Sequence, residues 1–336
     1  MSENKRKKAV PFLLLAAILL FCIGGFWQIR LLLGKENEQS ENGKHQVALI
    51  TKSTLSAFWQ SVFAGARAAG TEYNLTVKIE GPENEEDYKT QNEMIKKAVE
   101  GGAEVLVFSA VDFQENAEMI DWASSKGVKT IVIDSDVNSD EVVCRIGTDN
   151  YAAGKMAAKA VLESDLAEKK VGIVNYDKNS ANGQQREAGF REAVKDDAQT
   201  GIVDVINVIS TTEDAKEGTK DMLARHPDIN VIVTFNEWTS LGVGYAVQEE
   251  HLADETMVVA FDSNVVSVGM LESGEVDALI VQNPYAMGYL GVEKALNVIQ
   301  DRGTLPAQID TETTLITREN MFDPQCQRML FAFENG

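Results

Sequence analysis

From residue 46 to about residue 320 the chain alternates between short apolar runs and longer amphipathic stretches. The runs at 47–50, 75–79, 105–108, 130–133, 171–174, 231–235, 258–261 and 278–281 are rich in Val and Ile. Continuous apolar runs of this length predict strands buried on both faces. The segments 58–73, 87–100, 151–163, 184–195, 241–249 and 286–300 carry apolar residues at helical spacing. In the first of them Phe58, Val62, Phe63, Ala66 and Ala69 share one face. Strand, helix and strand in repetition predict an α/β fold with parallel sheets covered by helices on both sides. A length of 336 residues suits two such units.

Ligands of these folds bind outside the carboxyl ends of the strands. That rule singles out positions 52–59, 109–112, 134–136, 175–177, 236–238, 262–264 and 282–285. Carboxylates, amides and aromatics crowd these windows. Asp and Asn also cap helices, which accounts for part of the pattern but not for its recurrence at so many strand ends.

The amino terminus follows a different pattern. Residues 9–27 contain no charge and directly follow Lys5, Arg6, Lys7 and Lys8. As a helix this run would span about 28 Å, the thickness of a bilayer's hydrocarbon core. The basic flank predicts a cytoplasmic start and an exported body. The expected layout is a basic cytoplasmic tail at 1–8, a single transmembrane signal-anchor at 9–33 and a solvated linker at 34–45. A cleaved signal peptide is the alternative, although its apolar core is usually shorter. Cys22 does not fit a lipoprotein signal, because Phe21 stands where a small residue belongs.

Charge narrows the partners. Lys plus Arg is 31 against Asp plus Glu at 52, a net charge of −21, so nucleic acid is excluded as a partner. The three cysteines and three histidines are scattered and give no metal-ligand spacing, and no cofactor is called for. Cys144 and Cys326 could form one disulfide in an oxidising compartment, but buried free thiols are the simpler expectation. The segment GTDNYAAGK from Gly147 departs from a phosphate loop in glycine spacing and in its Met156. DVNSDE from Asp136 lacks the glycine of a calcium loop. No GxSxG or HExxH occurs. Asp134 and Asp262 as a glycosidase pair remain a fold-level alternative only.

In order along the chain stand FWQSVFAGARAAG, VVCRIGTDNYAAGKMA, QQREAGF, HPDINVIVTFNEWTSLG, VVAFDS and ALIVQNP. With these segments the chain resembles the ribose-binding-protein-like family of bacterial solute receptors, the type I periplasmic binding proteins, over residues 46–320. The resemblance implies two doubly wound parallel-sheet lobes joined by a three-segment hinge. The N-terminal lobe would comprise 46–148 and 283–311, the C-terminal lobe 149–282, and 312–336 the last hinge segment and tail. The hinge would lie near 147–149, 282–283 and 310–312.

Carried over by position, the resemblance implies that Phe58 and Trp59 stack on a sugar ring. Ser109, Asp112, Asp134, Arg186, Asn236, Asp262 and Gln282 would bind its hydroxyls. Taken alone, Phe58 also reads as core, Asp134 and Asp262 as helix caps, and Arg186 as a solvated charge. Ser135 follows Asp134 where the ribose receptor has an arginine, which points toward another pentose, a hexose, a polyol or a furanose-like signal. The implied role is a non-enzymatic receptor for a monosaccharide or related polyol, serving an ATP-driven importer's permease or a membrane sensor kinase. A repressor of related fold would need a basic helix-turn-helix where the apolar span stands.

Overall fold

The computed structural model describes residues 43–331. The expected transmembrane segment at 9–33 and Cys22 lie outside them. Among the described residues no helix is long and apolar enough to cross a membrane.

Two six-stranded sheets form the frame. The first runs, in spatial order, β2 (Thr76–Glu80), β1 (Gln46–Ile50), β3 (Val105–Phe108), β4 (Lys129–Ile133), β5 (Val142–Gly147) and β11 (Gln308–Asp310). The second runs β7 (Thr200–Asn207), β6 (Lys169–Asn175), β8 (Val231–Thr234), β9 (Met257–Phe261), β10 (Ala278–Val281) and β12 (Thr314–Thr317). The two orders are the same when strands are matched by their sequence within each half.

Strand pairing is parallel except between β10 and β12. The exception follows from chain direction. Because β12 continues from β11 after a short link, it enters the second sheet from the end where the first sheet's strands finish. A parallel entry would need a long crossover.

The inner strands earn their apolar runs by burial on both faces. Val47, Leu49, Val107 and Ile131 pack under α1 (Ala57–Glu72) and α9 (Pro284–Ile299). Ala48, Ile50, Leu106 and Phe108 face α2 (Tyr88–Glu100) and α3 (Ala117–Ser125). In the second sheet Val171, Ile173, Val233 and Phe261 face α4 (Asn150–Leu162) and α5 (Ala181–Val194). Val174, Ile232, Val258 and Ala260 face α6 (Thr212–Arg225), α7 (Glu237–Glu249) and α8 (Val265–Ser273). The last helix, α10 (Pro324–Leu330), covers β12 and adds Cys326, Met329 and Leu330 to that core. Cys144 and Cys326 are both free and buried, in different cores.

The chain passes between the sheets after β5, after β10 and between β11 and β12. Close helix pairs set the geometry beside these passages. Gly154 of α4 lies against the backbone of Arg186, and Gly189 of α5 against that of Tyr151; a Cβ at either would overlap backbone carbonyl atoms. Gly288 of α9 and Gly65 of α1 make the matching contact in the first half. Overpacking at such backbone contacts costs about 1–3 kcal/mol. Gly154→Val is therefore expected to lower the thermal midpoint clearly, whereas Gly201→Ala, which faces open space, is expected to leave it nearly unchanged; calorimetric scans of both variants check this.

Candidate ligand-binding site

The carboxyl ends of both sheets converge on one small cavity. Its wall includes Lys52 and Phe58 beyond β1, Asp134 beyond β4, Tyr176 beyond β6, Asn236 and Glu237 beyond β8, Asp262 beyond β9 and Gln282 beyond β10. Trp59, Glu85, Asn182, Arg186 and Trp238 complete it, with Ser56. The volume is about 20 Å³, roughly the room that one water needs.

Arg186, 1% exposed, is the central cation of the second-sheet wall. It donates to Asn150 Oδ1 at 2.8 Å, the Phe235 carbonyl at 2.6 Å and Gln282 Oε1 at 2.7 Å. Its guanidinium sits 4.8 Å from the centroid of the Phe261 ring. Gln282 in turn donates to Asp262 Oδ1 at 2.6 Å. The solvated-charge reading of Arg186 is thereby excluded: it ties Asn150 at the start of α4 to two strand-end groups, Phe235 and Gln282.

Asp134 and Asp262 both have left-handed backbones, at φ 57° and 67°. Non-glycine residues adopt this region rarely, and at functional sites more than elsewhere. Neither residue is an N-cap; Ser56, Asn236 and Asn264 cap α1, α7 and α8. Burial pushes the Asp262 carboxyl up to about 7, against the pull of the Arg186 charge. Burial raises Asp134 as well, opposed by Lys52 and Arg186. Asp134 accepts from Ser109 Oγ at 3.0 Å and Asn182 Nδ2 at 3.1 Å.

On the opposite wall Lys52 Nζ donates to Ser180 Oγ at 2.8 Å and stands 3.8 Å from Glu85. Glu85 also accepts the Trp59 indole N–H at 2.9 Å and Ser210 Oγ at 2.9 Å. Phe58 and Trp59 meet edge to face with centroids 5.0 Å apart. Both belong to the core and both line the cavity. Trp59 is held by its indole N–H as well as by packing, which the helical-face pattern did not foretell.

Of the nine residues singled out from sequence, the structure brings Phe58, Trp59, Asp134, Arg186, Asn236, Asp262 and Gln282 to this cavity. Ser109 is fully buried and reaches it only through Asp134. Asp112 turns into its own loop, where Oδ1 accepts the Gln114 and Glu115 N–H groups at 2.8 and 3.0 Å. Lys52, Tyr176, Glu237 and Trp238 were not singled out, although all four fall inside the strand-end windows. Glu85 and Asn182 lie outside every window.

Residues 47–303 match the family model described as a periplasmic binding protein domain. The chain belongs to the periplasmic binding protein family. Among relatives, it is 24% identical over 301 residues to a D-ribose/D-allose-binding protein of Pseudomonas aeruginosa, covering 87% of this chain and 92% of that one. A carbohydrate transporter solute-binding protein of Agrobacterium radiobacter, solved with D-arabinose, is 31% identical with a TM-score of 0.82, covering 86% of this chain and 99% of that one. An Agrobacterium vitis solute-binding protein holding D-fucose is 28% identical with a TM-score of 0.81, covering 85% and 99%.

Proposed function

We propose that the chain is a membrane-anchored, extracytoplasmic substrate-binding protein that takes a monosaccharide or related polyol between its two lobes and delivers it to an ATP-driven importer. One observation carries the reading: planar amide, carboxylate and guanidinium groups from both sheets meet at a single cavity beside the Phe58 ring. Sugar hydroxyls donate and accept together, and such groups serve both roles. An aromatic ring supplies the apolar face that a pyranose or furanose ring needs. The similarity to sugar-binding relatives points the same way.

The cavity is smaller than a sugar, so uptake requires the lobes to part and the polar groups to exchange partners for hydroxyls. Closure then follows from contacts that both lobes make with the solute. The uncharged run at 9–27 supports the anchor, with the binding lobes outside the membrane. Titration calorimetry of the purified chain against pentoses, hexoses and polyols is expected to show one tight neutral solute. Asp262→Asn should weaken that solute at least 10-fold, the value of about one charge-assisted hydrogen bond. Absence of heat from every sugar, with the protein folded, would reject the carbohydrate assignment.

A further inference from the structure

A second cavity adjoins the first. Its volume is also about 20 Å³, and Phe58, Asp262 and Gln282 belong to the walls of both. Beyond these three it is bounded by Ser61 of α1, Pro284 at the start of α9 and Met329 of α10, among others. Ser61 stands one helical turn after Phe58, on the same side of α1. It is only 6% exposed, and its hydroxyl oxygen has no hydrogen-bond partner among the described residues. A buried hydroxyl left unpaired is unfavourable and calls for an explanation. The fold does not supply one: Ser56 is the residue that caps α1, and Ser61 Oγ bonds no main-chain group.

We infer that the second cavity receives an exocyclic hydroxymethyl group of the solute, with Ser61 as its hydrogen-bond partner, so that the chain selects a hexose over the matching pentose. The inference rests on the receptor reading above, because only a ring held between the lobes reaches these walls. Three features carry it. A ring lodged against Phe58 and bonded to Asp262 and Gln282 already borders the second cavity. The carbon surfaces of Pro284 and Met329 suit a methylene, and Ser61 Oγ suits the hydroxyl which that methylene bears. The room, about that of one water, matches a single small substituent. A pentose leaves the cavity unfilled and Ser61 unpaired, a difference worth about 10-fold or more in affinity.

Titration calorimetry of the full chain with aldoses that differ only in this group tests the inference. The pairs are D-glucose with D-xylose, D-galactose with L-arabinose, D-mannose with D-lyxose and D-allose with D-ribose. In the pair that binds, the hexose should be about 10-fold tighter or more. Ser61→Ala should weaken that hexose about 2- to 12-fold, the value of one neutral hydrogen bond, and should spare its 6-deoxy analogue. Because the hydroxyl removed has no partner in the fold, the thermal midpoint of Ser61→Ala should not fall. A pentose as tight as its hexose, or a tight solute without an exocyclic carbon, overturns the inference and leaves the receptor reading intact. Equal losses for the hexose and its 6-deoxy analogue in Ser61→Ala would mean that Ser61 serves the fold or a bridging water, and overturn it as well. Absence of heat from every sugar rejects the receptor reading and this inference together.

Discussion

Arg186→Ala is expected to lower stability by about 3–5 kcal/mol, the range found when one member of a buried polar network is removed. The loss has three sources in this protein. Asn150 Oδ1, the Phe235 carbonyl and Gln282 Oε1 each lose a buried donor. The face of Phe261 loses the cation above it. Asp262 and Asp134 lose the positive charge that offsets their burial. Urea unfolding of the solute-free protein measures the change. Arg186→Lys keeps the charge but not the planar fork, so it should recover only part of the stability. Equal midpoints for wild type and Arg186→Ala would show that the network is incidental.

Solute-free stability should fall as pH rises from about 4 to about 7.5. Asp262 has an ordinary value of 3.8 and is raised to about 7 in the folded protein. The folded state therefore holds a proton that the unfolded chain gives up. The associated stability is fully present below the unfolded value and is lost as pH climbs through the folded one. A rise of this size corresponds to at most about 4 kcal/mol. Asp262→Asn keeps the acceptor for Gln282 and removes the titration, so its unfolding midpoints at pH 5 and pH 8 should lie closer together than those of wild type. A residual slope of the same sign is expected from Asp134 and Glu237, which burial also raises. A wild-type midpoint that rises over this interval would contradict the assignment.

The inner strands were legible because burial on both faces writes itself as unbroken Val and Ile. β7 was not, because as the second sheet's outer strand it carries Asp204 among its apolar residues, and Asp204 pairs with Arg225 of α6. β11 has only three residues, and β12 sets a threonine at each end of Leu315 and Ile316 and is only partly buried, so neither shows an unbroken apolar run. The site was legible wherever a polar residue directly follows an inner strand, as with Asp134, Asn236, Asp262 and Gln282. Glu85 sits in the loop after an outer strand and takes its meaning from Ser210, a residue far away in sequence. Ser109 and Asp112 show the converse: a strand-end window includes residues that serve the loop itself or a neighbour.

The shared strand order of the two sheets has a further consequence for the solute. Asp134 after β4 and Asp262 after β9 are counterparts, with the same left-handed backbone and the same burial-raised carboxyl. The helix contacts at Gly65 and Gly288 mirror those at Gly189 and Gly154. The cage is thus close to two-fold in outline, with an aspartate at either edge. Its cations break that equivalence: Lys52 corresponds to Tyr176 in the second half, and Arg186 to Val62 in the first. On the proposed receptor reading, which way round the guest sits is therefore a question for Lys52 and Arg186, and the paired aspartates are indifferent to it.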